Sequence, residues 1–334
     1  MRAKEDFASY YEKKEDWTEK IEQIEQKAQQ AARTDDWRLS YHLMPPAGWL
    51  NDPNGLCRFK GDYHVFYQYS PFVPEGGSKY WGHYKSRDLI HWEKCPVMLY
   101  PEQEWDIHGV YSGSALTEDD VMYLYYTGNV KQPGEHDFIH SGREHNTALA
   151  VSKDGVTVDK EVLLLKNSAY PSDLTCHVRD PKVFAYDGKY YMVLGARTNA
   201  DIGQVLIWES DDKYNWQCIN RLQTEQPFGF MWECPDLFEL NGQWILMVSP
   251  QGIERQTYHY QNVYTCGYFP LYGDFRKEDV RLGEFQELDY GFDFYAPQTF
   301  EDGERRILIG WMGMPDAEYS NPTVDRGWQH CLTF

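Results

Sequence analysis

Three acidic residues in this 334-residue sequence stand in closely similar settings. Asp52 lies in Trp49-Leu50-Asn51-Asp52-Pro53-Asn54-Gly55, Asp180 in Arg179-Asp180-Pro181, and Glu233 in Trp232-Glu233-Cys234-Pro235. Alone, the first stretch reads as a surface turn whose Asp caps its own backbone. The recurrence changes that reading. A proline just after each acid fixes φ and removes an N–H, so it starts a strand and aims the side chain before it. Three carboxyls brought into one partly buried cleft cannot all ionise without cost, and at least one pKa must rise. A raised acid beside an ionised carboxylate is the working pair for breaking a glycosidic bond. Glu233 has the longer side chain and suits the acid that reaches a leaving oxygen from the side. Asp52 would then attack from beneath a sugar ring.

Other chemistries fit less well. Three carboxylates also suit Ca²⁺ or Mg²⁺, but such sites cluster their ligands in one loop, and no D-x-D-x-D-G run occurs. His42, His83, His108 and His177 show no metal spacing such as H-E-x-x-H and read as hydrogen-bonded structural residues. No metal and no cofactor is expected. Ser112-Gly113-Ser114 lacks the G-x-S-x-G elbow, which argues against serine hydrolysis. The formal net charge of −20 repels phosphate backbones and anionic lipid, so neither nucleic acid nor a membrane is an expected partner. Aromatic residues make up 16% of the chain, which suits both strands and a cleft that stacks on sugar faces. The seven cysteines are odd in number, widely spaced and without C-x-x-C, as expected for reduced thiols in the cytoplasm. No apolar segment follows Met1 as a signal peptide would require, and no stretch approaches a membrane span.

Two kinds of element must position these acids. From about Lys4 to Arg33, Trp17, Ile21, Ile24, Ala28 and Ala31 recur at helical spacing. Residues 1–36 thus read as a helical segment, which either packs on the main body or binds a partner. Residues 37–334 read as one all-β catalytic domain. Within it a hairpin signal recurs five times: an acidic or glycine turn at Gly61, Asp120, Gly188, Gly242 and Gly303, each followed by an aromatic-aliphatic strand. Five repeats predict a five-bladed β-propeller, with a large sandwich as the alternative. Counting back eight or nine residues from each turn reaches Asp52, Ser112, Asp180, Glu233 and Tyr295. These positions begin the innermost strands, so the repeat places all three acids around one central funnel.

On these residues the sequence resembles glycoside hydrolase family 32, which includes invertases, β-fructofuranosidases, sucrose-6-phosphate hydrolases and related fructan hydrolases. The matching segments are Trp49–Gly55, Phe66-Tyr67-Gln68-Tyr69, Trp81-Gly82-His83, Tyr111–Ser114, Arg179–Pro181, Trp232–Pro235 and Gly310-Trp311-Met312-Gly313, in the family's order. The resemblance implies Asp52 as nucleophile, Glu233 as general acid/base and Asp180 as transition-state stabiliser. It implies that Trp49, Leu50, Asn51, Gln68, Tyr111, Ser112, Arg179 and Trp311 bind substrate. The implied reaction is double displacement at a terminal β-D-fructofuranoside with retention, which needs a carboxyl pair about 5–5.5 Å apart. Sucrose or sucrose 6-phosphate is the implied substrate. Transfer of fructosyl to another sugar, fructan exohydrolysis and a silent sugar-binding propeller stay open as alternatives.

The sequence departs from the family in two places. Some members carry a Trp eight residues after the pocket Gln, bordering the leaving group, where this chain has Gly76. Trp81, on the next strand, reads as core instead. Members also continue into a C-terminal β-sandwich, whereas this chain stops inside the expected fifth blade. That blade is therefore expected to be incomplete, leaving an open ring with an unpaired edge.

Overall fold

The computed structural model describes residues 14–334. The expected helix spans Lys14–Ala32 (α1) there, and its earlier part lies outside the described residues. The helix packs on the first blade. Trp17 meets Phe72 and Tyr80 edge-on or tilted at 5.6 and 5.9 Å, and Ile21 is buried, which contributes about 1.5–3 kcal/mol. Ala31 faces solvent instead, and Glu25 takes a buried place on the stripe. Glu25 tolerates this because it pairs with Lys94 and accepts a hydrogen bond from Tyr69 Oη at 3.2 Å. No helix among the described residues is long and apolar enough to cross a membrane.

Five antiparallel sheets follow, and the expected five-bladed propeller is the observed fold. Blade I holds β1 (Gly48–Phe59), β2 (Asp62–Ser70), β3 (Tyr80–Ser86) and β4 (Trp92–Leu99). Blade II holds β5 (Val110–Glu118), β6 (Val121–Lys131), β7 (Arg143–Ser152) and β8 (Lys160–Leu165). Blade III holds β9 (Leu174–Tyr186), β10 (Lys189–Thr198), β11 (Gly203–Ser210) and β12 (Gln217–Leu222). Blade IV holds β13 (Met231–Leu240), β14 (Gln243–Gln251), β15 (Gly267–Tyr272) and the short β16 (Arg281–Leu282) and β17 (Gln286–Glu287). Blade V has three strands, β18 (Tyr295–Asp302), β19 (Arg305–Met312) and β21 (Cys331–Thr333), while β20 (Trp328–Gln329) crosses to pair in parallel with β1.

The ring is closed, not open. The first strands of the blades touch in the cycle β1, β5, β9, β13, β18 and back to β1. Parallel pairing of β20 with Gly48 and Trp49, and a bridge between Leu43 and Leu332, tie the last residues to blade I. Apolar cores fill the spaces between neighbouring blades. Phe66, Trp81 and Met98 of blade I pack on Leu124 and Tyr126 of blade II, whereas Tyr125, pointing the opposite way, packs towards Val183 and Met192 of blade III. Strand alternation alone thus lets one blade serve two cores.

The repeat register differs by one residue from the count made on the sequence. Four hairpins turn on Lys60-Gly61, Asp119-Asp120, Asp187-Gly188 and Asn241-Gly242, with both residues at positive φ as a type I′ turn requires. The fifth turns one residue later than its Asp302-Gly303 signal, on Gly303-Glu304. Measured from the second turn residue, the position nine earlier is occupied by Asp52, Tyr111, Arg179, Glu233 and Tyr295. Arg179, not Asp180, is therefore the counterpart of Glu233. Asp180 is the counterpart of Cys234 and Ala296, and all three precede proline and sit at positive φ, of 65°, 47° and 50°.

Each inner strand carries a β-bulge at this point, between Leu50 and Pro53, Tyr111 and Gly113, Glu233 and Asp236, Tyr295 and Gln298, and opposite Val193/Gly195 in blade III. A bulge re-aims side chains and stores local strain, here turning consecutive residues towards the axis. Side chains then lock four of the five blades to the next at these bulges. Asn54 Oδ1 accepts from Gly113 N at 3.0 Å, Ser114 Oγ from Val183 N at 3.0 Å, Asp180 Oδ2 from Cys234 N at 3.0 Å, and Asp236 Oδ2 from Thr299 N at 2.7 Å.

Candidate active site

The five counterparts Asp52, Tyr111, Arg179, Glu233 and Tyr295 all line one axial cleft of about 770 Å³. Asp180, Asn51, Gln68, Trp49 and Trp311 line it too. Leu50 does not. It is fully buried in the core on the opposite face of β1, and its carbonyl faces His330 Nδ1 at 3.3 Å. Strand alternation sends Trp49 and Asn51 to the cleft and Leu50 away from it, so Leu50 supports the pocket without touching its contents. Ser112 is also buried outside the lining, but its hydroxyl acts on Asp52.

Asp52 sits at the end of a chain of hydrogen bonds whose direction one residue sets. The Trp49 indole N–H can only donate, and it donates to Asn51 Oδ1 at 2.8 Å. The Asn51 amide nitrogen must therefore face the other way, where it donates to Asp52 Oδ1 at 3.0 Å and Gln68 Oε1 at 3.1 Å. That fixes Gln68 in turn, whose nitrogen donates to Ser112 Oγ and reaches Asp52 Oδ2 at 3.4 Å. Ser112 Oγ, having accepted, donates to Asp52 Oδ2 at 2.5 Å. The Cys234 thiol stands 3.7 Å from the same oxygen. Every group around Asp52 is a donor, which is what an acceptor-only carboxylate requires. Gly55, at φ +54, lets the chain turn against Phe66, whose ring a Cβ there would meet at 2.5 Å.

Glu233 and Asp180 share Arg179. The guanidinium donates to Glu233 Oε1 at 2.5 and 3.2 Å and lies 3.8 Å from Asp180 Oδ2. Burial works to lower the Arg179 pKa, but Glu233 and Asp180 hold it up. His177, read from sequence only as structural, orients Arg179. Its Nε2–H donates to Phe138 O at 3.0 Å, and its Nδ1 accepts from Arg179 at 2.5 Å. Burial, aided by Arg179, lowers its pKa to about 2 and keeps the ring neutral for that task. The other oxygen of Glu233 accepts from Gln251 Nε2 at 2.8 Å and Tyr295 Oη at 2.7 Å. Neither carried a local sequence signal for such a contact, although the repeat count placed Tyr295 on the funnel wall. Cys234 links the three acids: it follows Glu233, its N–H binds Asp180 and its thiol meets Asp52. Burial, then Asp180, pushes its pKa well up, so it remains a thiol.

Of the three acids, Asp180 is the most deeply enclosed. Burial raises Asp180 to about 7; Arg179 opposes the rise and Glu233 adds to it. Asp180 is 4% exposed, so burial penalises its charged form heavily. Between the unfolded value near ~4 and about 7, the native carboxyl holds a proton that the unfolded one has lost. This group's contribution to stability therefore falls as pH rises through that window. Asp180→Asn, which mimics the protonated acid, is expected to raise Tm by a few degrees at pH 8 and not at pH 4. Thermal scans at the two pH values check this, and an equal shift at both would show that the carboxyl's charge is not the cause.

Comparison with known proteins follows the same pattern. Residues 42–334 match the family described as Glycosyl hydrolases family 32 N-terminal domain. The chain is 46% identical over 319 residues to a sucrose-6-phosphate hydrolase of Bacillus subtilis, covering 93% of this chain and 64% of that protein. It is 42% identical to one from Staphylococcus xylosus, covering 97% and 63%. Among solved structures, a sucrose-6-phosphate hydrolase from Lactobacillus gasseri superposes with a TM-score of 0.86 at 33% identity, covering 97% of this chain and 65% of that one. A Bombyx mori GH32 β-fructofuranosidase gives 0.85 at 36%, covering 96% and 67%. The chain thus spans somewhat under two thirds of the length of these curated relatives.

Proposed function

The chain belongs to glycoside hydrolase family 32, and from that premise we propose that it cleaves terminal β-D-fructofuranosides of the sucrose type by double displacement with retention. The observation that carries this reading is the donor-only setting of Asp52 in the cleft where Arg179 binds Glu233. Asp52 attacks the anomeric carbon while Glu233 gives a proton to the leaving oxygen. Glu233 then takes a proton from water, which opens the fructosyl–Asp52 ester. Asp180 makes no proton transfer; its contacts to the fructosyl ring strengthen as that ring becomes cationic, which also favours the ionised form of a carboxyl that burial alone would keep protonated. Asn51, Gln68, Arg179 and Trp311 shape the fructosyl pocket, and Trp49 and Tyr111 flank it.

Relatives named as sucrose-6-phosphate hydrolases, and a mutant β-fructofuranosidase from Bombyx mori in complex with sucrose, support a sucrose-type substrate. The test is stereochemical. NMR of the first fructose released from sucrose or sucrose 6-phosphate is expected to show the β-furanose, which then mutarotates. Initial α-furanose would replace the reading by inversion. Oligosaccharides in place of free fructose would replace hydrolysis by transfer.

A further inference from the structure

The cleft holds a cation that this chemistry leaves unused. Lys79, just before β3, lines the cleft and is only partly exposed. Its ammonium lies 5.2 Å from the centroid of the Trp49 ring. Among the described residues, no hydrogen bond or ion pair ends on it. Arg179, by contrast, is engaged by Glu233 and His177. Burial lowers the Lys79 pKa to about 7, and the Asp52 carboxylate works against that fall. An ammonium withdrawn from water without a paired anion is costly, so its natural complement is an anionic group on the ligand.

Gly76 explains why this ammonium is accessible. Its backbone sits at φ +98, and a Cβ there would lie 3.7 Å from the Trp49 ring and 3.8 Å from Lys79 Nζ. Any larger side chain at this position would cover both. The glycine thus opens the Trp49 edge and the ammonium to the same space, beside the Asp52 pocket. A second group on the cleft wall also lacks a protein partner. His145 is fully buried, and neither of its ring nitrogens has a hydrogen bond in the structure. Burial, and then Arg179, lowers its pKa and keeps it neutral, so it offers one N–H donor.

We propose that Lys79 is the specificity-determining residue on the leaving-group side, where its ammonium receives a phosphate monoester carried by the leaving sugar. The inference rests on the fructosidase reading above and names the class of leaving group. A phosphate monoester is a dianion near neutral pH and matches a compact point charge such as ammonium. A neutral leaving sugar would leave that charge uncompensated in the closed cleft. The fructosyl side needs no such group, because Arg179 already engages Glu233 and Asp180 there and neutral donors surround Asp52.

The test compares kcat/KM for sucrose 6-phosphate and for sucrose in the full-length protein. The native enzyme is expected to prefer the phosphorylated substrate. Lys79→Met is expected to lower the ratio of the two constants about ten- to hundredfold, and Lys79→Arg to keep most of it. Glucose 6-phosphate should inhibit the native enzyme more strongly than glucose does, and Lys79→Met should remove that difference. A ratio unchanged in Lys79→Met overturns the inference. So does an equal loss on both substrates, which would mean that Lys79 acts through Asp52. Cleavage of both substrates without preference by the native enzyme overturns the inference but leaves the fructosidase reading standing. A folded native protein that cleaves neither overturns that reading, and this inference with it.

Discussion

Asp52→Asn is expected to lower kcat on sucrose-type substrates by at least about 10⁴-fold with the fold intact, because the amide cannot form the fructosyl ester. The network around residue 52 predicts how the variant sits. An Asn carbonyl at the Oδ2 position keeps the contacts from Ser112 and Gln68. Its NH₂ then faces the Asn51 nitrogen, which stands 3.0 Å from Oδ1 of Asp52. Asn51 cannot flip to relieve this, since the Trp49 N–H must be accepted by Asn51 Oδ1. The cost is one mismatched pair at a partly open site, about 1 kcal/mol. A thermal scan should therefore show a small loss of Tm beside the collapse in rate. Asp52→Ala should be as inactive but less stable, because it leaves the Ser112 hydroxyl and the Asn51 N–H directed at residue 52 without their acceptor. Turnover within about tenfold of native in a clean, folded Asp52→Asn preparation would remove Asp52 from the nucleophile's role.

The sequence carries the backbone chemistry of this fold more openly than its side-chain partnerships. Lys60-Gly61, Asp187-Gly188 and Asn241-Gly242 announce their hairpins because few residues accept positive φ twice in succession. Pro181, Pro235 and Pro297 mark the bulges for a related reason: each follows a residue forced into the left-handed region. The one-residue offset falls in blades II and III, where a count of eight reaches Ser112 and Asp180; the fifth turn, with Gly303 in the first and not the second turn position, makes eight look equivalent to nine. Leu50 was misassigned because the resemblance extends over a continuous stretch, whereas a strand sends alternate residues to opposite faces. Gln251 meets Glu233 from the neighbouring strand of blade IV, His177 is held by Phe138 on the loop after β6, and Lys79 lines the cleft from a loop end, contacts that no local motif signals. Long-range pairing is what a propeller uses to assemble its axis, so these are the residues for which the structure is needed.

Glu233→Gln is expected to reduce kcat on sucrose by about 10²–10⁴-fold, the usual share of a general acid/base, while sparing substrates that need no proton. The site can accept the amide. Its carbonyl oxygen can take the place of Oε1 against Arg179, which bonds there at 2.5 Å. Its NH₂ then faces both donors of Oε2: Gln251, whose amide must flip to present its oxygen at 2.8 Å, and Tyr295 Oη, which stands 2.7 Å from Oε2 and also 3.1 Å from Ser249 O. Burial, and then Glu233, pushes the Tyr295 pKa well above its usual value, so the hydroxyl keeps its proton. It can turn that proton to Ser249 and accept from the amide. The expected signature has two parts. β-Fructofuranosyl fluoride, whose leaving group departs without protonation, should lose far less in its first step than sucrose does. Azide should then speed the variant by attacking the fructosyl ester without a base, giving the β-azide. Equal losses on sucrose and the fluoride, with no response to azide, would show that Glu233 serves only to hold Arg179 and Tyr295 in place.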